Sequence, residues 1–490
     1  MGAMVLPRAE HIRARIDGLD LTRAQELLKN YGTVLPDAAA LRARLALYRA
    51  DCDEARAILG ADSNLTSSGR ELAAVADACA RSVAGAQIIT DRSRALWLRL
   101  QDDADAAWAP LVMDVAAQAR AFIATRLGVP TDVPLRIELV MDHASLSALT
   151  GLPLEAAETT GTVAVARFGR VTLLSPRGFK KGYPWQDTLA HEITHLMVAV
   201  ATNDNAPLWL QEALAKHLET TWRAPRPHDG RPNLHEVART AWLQGQSVGL
   251  DRLGASIALL PNPQAANIAY AEVYDFLDVV IRTCGWNAVK LLLREVRDLG
   301  GDRTDAALRS ATGYAMQDWT RRWRHALVEN DQPANAEAQD EIVTAQYRET
   351  ARRLRLAELF ASVDRFDAVE STVAPVLEQS RVTELRSLAG LAHLQQGSAS
   401  AALGALGQAA ALSSLQGEWL ALRGRALAEL GRAADAKDHL SWALANAPSD
   451  ERIACEGFAP SRGDGRAKLG LALCSAASSL ARSASEPLDP

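Results

Sequence analysis

"DTLAHEITHL", residues 187 to 196, sets two histidines and a glutamate within five positions of an apolar run. Leu189, Ile193 and Leu196 recur at helical spacing, so the stretch reads as a helix, and His191 and His195 stand four apart on one turn of it. Side chains at i and i+4 share a helix face. Two imidazoles stacked in this way can hold one metal ion at about 2.0–2.1 Å each, and Glu192 between them points to where a water on that ion would lie. The plainer alternative is a surface helix with polar residues along one side, and a third ligand decides between the two.

That ligand is offered downstream. "APLWLQEALAKHLE" (206–219) reads as a second helix, with Leu210, Leu214 and Leu218 on one stripe, Pro207 near its start and Glu212 near its middle. The polar turn "TNDNAP" (202–207) would fold the two helices antiparallel and bring Glu212 back over the first. A His, His, Glu set gives three protein ligands and leaves a fourth position for water, as a catalytic zinc requires; a structural zinc would want four closed ligands.

On "HEITH" (191–195) and "WLQEALA" (209–215) the chain resembles the gluzincin zinc metallopeptidases, specifically the peptidase-MA-like group related to aminopeptidase N. Relatives read WLxEGxA at the second motif, so Ala213 replaces a glycine, and the interval from His195 to Glu212 is slightly shorter than in the aminopeptidases. Neither departure removes a ligand. The resemblance covers about residues 83–330 and implies a thermolysin- or aminopeptidase-N-like α+β domain with a small mixed sheet. It also implies Zn2+ held by His191, His195 and Glu212, and hydrolysis of a peptide or protein substrate. Glu192 is then the general base. Gluzincins supply a tyrosine hydroxyl to the oxyanion from a later helix, and "AYAEVYDFLDVVIRTCGW" (269–286) places Tyr270 at that position, with Tyr274 one turn on as a packing aromatic.

Upstream, "PLRIELVMD" (134–142), "GTVAVARF" (161–168) and "RVTLLSP" (170–176) alternate or run apolar with β-branched residues and read as strands. "RVTLLSP" is expected to be the edge that pairs with an extended substrate backbone. "AQIIT" and "RALWLRL" (86–100) read as an earlier hairpin, followed by a long helix through "DADAAWAPLVMDVAAQARAFIATRLG" (103–128).

The C-terminal third is repetitive. Val363, Gly397 and Gly431 are spaced by 34, as are Ala368, Ala402 and Ala436. That period resembles tetratricopeptide repeats, in which each helix pair buries its face only by stacking on a neighbour. "DLTRAQELL" and "DCDEARAIL" hint at a degenerate helical repeat near the start. The expected organisation is a helical segment over 1–82, the peptidase-like domain over 83–330, helical repeats over 345–450 and a tail over 451–490.

A length of 490 residues allows about three domains. The net charge of −6 gives no electrostatic reason to expect nucleic acid, and no apolar run approaches a membrane span. The opening "MGAMVLPRAEHIRARIDG" lacks a basic region followed by an apolar core, so no signal peptide is expected in this chain. Of five cysteines, Cys52 with Cys79 and Cys455 with Cys474 each bracket a helical hairpin and leave Cys284 single. Two disulfides are permitted and buried free thiols serve equally; disulfides would favour the bacterial cell envelope or periplasm over the cytoplasm. Two functions are compatible with the whole: a zinc peptidase flanked by helical repeats, or a catalytically silent scaffold that binds protein partners through those repeats.

Overall fold

The computed structural model describes residues 9–31, 35, 37–178, 183–223, 233–328, 336–361, 363–378, 383–407 and 416–446. Cys455, Cys474 and the tail from 451 lie outside them. The chain divides into two compact units. One comprises Met1–Ser175, Asp187–Ala224 and Leu234–Glu329; the other comprises Pro176–Gln186, Pro225–Asn233 and Asn330–Pro490.

Five helices open the chain: α1 (Ala9–Asp17), α2 (Leu21–Tyr31), α3 (Ala38–Tyr48), α4 (Cys52–Gly60) and α5 (Ser67–Ser82). A hairpin of β1 (Gln87–Asp91) and β2 (Leu96–Leu100) leads to α6 (Ala109–Leu127), β3 (Leu135–Val140), α7 (His143–Thr150) and α8 (Leu154–Thr160). A second hairpin, β4 (Ala164–Arg167) and β5 (Arg170–Leu174), precedes α9 (Trp185–Thr202), α10 (Leu208–Leu218), α11 (Leu234–Leu243), α12 (Pro263–Leu299), α13 (Thr304–Thr312) and α14 (Met316–Val328). Gly285, at φ 74°, interrupts α12 and makes it two helices end to end. The fold is α+β: mostly helical, with one small mixed sheet. No described helix is long and apolar enough to cross a membrane.

The strand order is β1-β2-β3-β5-β4, with β2, β3 and β5 parallel and the outer strands antiparallel to their neighbours. β5 therefore lies inside the sheet, and the expectation that "RVTLLSP" forms the edge is corrected: the edge is β4. All five residues of β5 are buried. Burial along the whole length belongs to a strand covered on both faces, whereas β4 grades from buried Ala164 to exposed Arg167. The β4–β5 reversal is a two-residue turn in which Phe168 (φ 52°) and Gly169 (φ 67°) are both left-handed, the geometry that matches strand twist in a tight hairpin.

The two faces of the sheet differ in chemistry. Leu98, Ile137, Val171 and Ala166 form one cross-strand row, and this apolar side meets α6 through β2. The neighbouring row is Arg99, Glu138, Thr172 and Val165. There the Glu138 carboxylate is bonded to Arg99 and lies 3.2 Å from Arg170 Nε, with all three side chains buried. Other guanidinium donors reach helix ends: Arg170 donates to Leu47 O (2.6 Å) and Leu149 O (3.1 Å), and Arg99 to Ala50 O (3.1 Å). These contacts tie the ends of α3 and α7 to the sheet. The Cys52–Cys79 disulfide links α4 to α5, with Cys79 Sγ 3.4 Å from Arg170.

In the second unit the helices are α15 (Ala336–Ala361), α16 (Phe366–Leu377), α17 (Thr383–Gln395), α18 (Ala399–Leu406), α19 (Gln416–Glu429) and α20 (Ala433–Asn446). Their contacts repeat. A Cβ on Gly390 would meet Leu406 at 2.6 Å and one on Gly424 would meet Leu440 at 2.7 Å, so the same close approach of glycine to leucine recurs after 34 residues. Arg353 donates to Thr372 O and Arg386 to Ala405 O, both at 3.0 Å, after another step of nearly the same length.

Removing one partner of a buried ion pair leaves a charge without compensation. Glu138→Ala should therefore lower the stability of the sheet-bearing unit by about 3–5 kcal/mol, read from urea unfolding followed by circular dichroism. A loss below about 1 kcal/mol would mean that the carbonyls of Leu47, Ala50 and Leu149 satisfy both guanidiniums unaided.

Candidate metal centre

α9 is a core helix: Leu189, Ala190, Ile193, Met197 and Val198 have no solvent exposure. Its polar residues are consequently held in a protein interior and require partners. The chain reverses after α9 through Asn203 (φ 52°) and Asp204 (φ 60°), residue types that tolerate the left-handed region, and Pro207 opens α10. Arg223, beyond the end of α10, grips Asp187 in the first turn of α9 with two short bonds of 2.6 and 2.5 Å. This bidentate pair fixes the helices against each other at the end opposite the turn.

Between them the predicted residues meet. Glu212 Oε2 lies 3.4 Å from His191 Nε2 and 3.5 Å from His195 Nε2, and the two imidazole rings are 5.0 Å apart. The Nε2 contacts are longer than an ordinary N–H···O bond, and the oxygen is buried without a hydrogen-bond partner. A buried carboxylate oxygen aimed at two imidazole nitrogens and bonded to neither fits a cation held by all three. Glu192 is the other carboxylate in reach, its donor atom within 4.8 Å of those of the histidines. Its Oε2, however, accepts the Ala166 N–H of edge strand β4 at 2.6 Å. His191, Glu192 and His195 thus offer donor atoms close enough to share one ion, and Glu212 faces both imidazoles from α10 as a further candidate ligand.

Glu219 was not singled out in the sequence. Its Oε2 lies 3.0 Å from His191 Nδ1, while its Oε1 pairs with Lys216 Nζ at 2.6 Å. A carboxylate on the outer nitrogen of a ligating histidine fixes the ring's tautomer and direction. The signal was present: Glu219 follows Glu212 by seven positions, two turns along the same face of the helix.

Tyr270 comes to this place and Tyr274 does not. The Tyr270 ring is 6.0 Å from that of His191 and lines a cleft of about 210 Å3 together with Glu192, Lys216 and Glu219. Tyr274 is stacked on His217 at 4.1 Å and its carbonyl contacts His217 Nε2.

The charges follow from this packing. Burial works against a charged His191, but the carboxylates of Glu212 and Glu219 outweigh it and lift the ring to about 10. Burial would raise Glu212, yet the two histidines hold it well below the usual carboxylate range; Glu219 is likewise lowered against its burial, chiefly by Lys216 and then His191. The proton that His191 retains lies between the carboxylates of Glu212 and Glu219. The Tyr270 phenol is pushed up by burial and then by the negative Glu212, Glu192 and Glu219, so at neutral pH it keeps its proton and can donate it.

No family model, no characterised protein and no solved structure matches this chain at a meaningful level of similarity.

If Glu219 orients His191, Glu219→Ala should weaken zinc affinity about 10–100-fold, measured by competition with a chromophoric chelator. His191→Ala and Glu212→Ala should weaken it further. Unchanged affinity in Glu219→Ala would remove Glu219 from the metal site.

Proposed function

We propose that this protein is a zinc-dependent peptidase of the gluzincin, peptidase-MA-like kind, acting on extended or unfolded segments. The observation that carries the reading is the buried, unbonded Glu212 oxygen facing both histidines, with Glu192 and Tyr270 lining the cleft that His191 also lines. His191, His195 and Glu212 would hold the ion; two imidazoles and a carboxylate are a donor set suited to zinc. When bound there, zinc supplies a water of lowered pKa and polarises a carbonyl oxygen.

The chain's own residues supply the rest. Glu192 accepts the proton of the attacking water and passes it to the departing amine. Its bond to Ala166 N–H places this base against the edge strand, so a peptide lying along β4 would present its backbone to the base. The Tyr270 hydroxyl donates to the oxyanion as the carbonyl becomes tetrahedral. This reading takes the small mixed sheet, helices α9 and α10 and this tyrosine as parts of a thermolysin- or aminopeptidase-N-like domain. The helical repeats of the second unit are read as tetratricopeptide-like and as a surface for protein partners. The Cys52–Cys79 bridge favours an oxidising compartment such as the cell envelope. A silent scaffold would be favoured by loss of the proposed base or of a proposed ligand, and the sequence retains Glu192, His191, His195 and Glu212.

Glu192→Gln should keep near-stoichiometric zinc and lose hydrolysis. Tyr270→Phe should lower kcat about 10²–10³-fold with little change in KM, as for loss of one oxyanion donor, while Tyr274→Phe stays close to wild type. Wild-type turnover by Glu192→Gln would remove the proposed base; the reverse order of the two tyrosines would reassign the oxyanion donor.

Residues 130–190 contain no GxMEN-type motif, the glycine-rich strand with an acidic residue that anchors a free α-amine in aminopeptidases. A terminal ammonium would lose hydration there without a specific partner, which favours internal cleavage. N-terminally acetylated peptides should be cut at least as well as their free counterparts, with products read by mass spectrometry. Stepwise removal of N-terminal residues, abolished by acetylation, would establish an amine anchor instead.

A further inference from the structure

Lys216 stands one turn beyond Glu212 on α10, and it is the one lysine or arginine among the described residues that line the cleft in front of His191, Glu192 and Tyr270. Its ammonium is held in place: Glu219 Oε1 takes one bond at 2.6 Å and the Tyr270 ring lies 5.6 Å away. The side chain is only 21% exposed. An ammonium carries three donors, and Glu219 accounts for one of them. The remaining donors belong to a fixed cation beside the reacting groups.

The cleft around it is small. Thr160, Gly161 and Thr162, ahead of β4, form one wall, with Ile257 and Ala266 among the others, and at about 210 Å3 it falls below the roughly 300 Å3 at which drug-sized pockets begin. It suits a single short group. Its charge balance also selects: a divalent ion on the ligand set, together with Lys216, offsets the three carboxylates of Glu192, Glu212 and Glu219. An incoming carboxylate would then meet no net repulsion and one oriented ammonium, whereas a neutral amide would give the donors not taken by Glu219 only an uncharged acceptor.

We propose that Lys216 is a specificity residue that receives a substrate carboxylate next to the scissile bond. The carboxylate comes either from an Asp or Glu side chain or from the chain end. This inference rests on the peptidase reading of the site and adds a substrate class to it.

The test uses the full-length, zinc-loaded Glu192→Gln protein, which binds without turnover. The probes are fluorescent alanine-based octapeptides in which Glu or Gln is walked along the chain, each made as free acid and as C-terminal amide. With Lys216 intact, one carboxylate position should bind about tenfold to a hundredfold more tightly than its amide counterpart, the range for a hydrogen bond to a charged group. The Glu/Gln arm reports a side-chain source and the acid/amide arm a chain end. Adding Lys216→Met should bring that ratio near one, and Lys216→Arg should retain most of it. If Lys216 only steadies Glu219, Lys216→Met will lower zinc content and weaken every peptide alike without moving the ratio, and the proposal fails. Equal binding of acids and amides with Lys216 intact also overturns it. If no peptide binds the zinc-loaded protein and the wild type cuts none, the peptidase reading itself falls.

Discussion

A carboxylate buried between two guanidiniums decides how this sheet can be covered. Glu138 is flanked by Arg99 and Arg170, and their other donors reach the carbonyls of Leu47, Ala50 and Leu149. Charges this deep are tolerated only when paired and hydrogen-bonded. The amino-terminal helices therefore have to end where they do, so that their last carbonyls meet the guanidiniums. With that face covered by polar contacts to helix ends, the opposite face carries the apolar row Leu98, Ile137, Val171 and Ala166, and this row ends at Ala166, where the backbone bonds to Glu192. The position of the proposed base is thus connected through the sheet to an ion pair on the far side of it.

Much of this was legible in the chain because it is local. The spacing of His191, Glu192 and His195 and the stripe around Glu212 are properties of single helices, and the turn between them is short and polar. What escaped was non-local, and even the choice between two tyrosines one turn apart rests on contacts that the sequence does not display. "RVTLLSP" sits next to "GTVAVARF" in sequence, and only the pairing of β5 with β3 makes it interior. Arg170 and Thr172, set among its apolar residues, hid its burial on both faces. Tyr270 and Tyr274 differ by one turn of the same helix, and their fates are set by His191 on one side and His217 on the other. Those contacts arise from helices far apart in sequence. Glu219 was readable as two turns beyond Glu212, but its meaning depends on the rotation of α10 against α9.

The repeats were legible for a different reason. A period of 34 is visible in small residues alone, and the structure gives it a physical cause: Gly390 and Gly424 each leave the space that a leucine of the next helix fills. A side chain at either glycine would collide with Leu406 or Leu440, so the period is enforced by packing.

The ligand hairpin has a kinetic consequence. His191, His195 and Glu212 are all carried by α9, α10 and the turn between them, so the donor atoms are brought together by closing a short loop, which costs little chain entropy and belongs to the quickly formed contacts of a protein. Glu192 and Tyr270 reach their places through β4 and α12, which join the hairpin by contacts distant in sequence. The order of assembly follows from this difference. On the proposed reading, a refolding chain would gain the capacity to capture a metal ion before the β4–β5 hairpin and the Tyr270 phenol dock beside it, so an ion can be secured while the surrounding polypeptide is still inert toward its own unfolded segments.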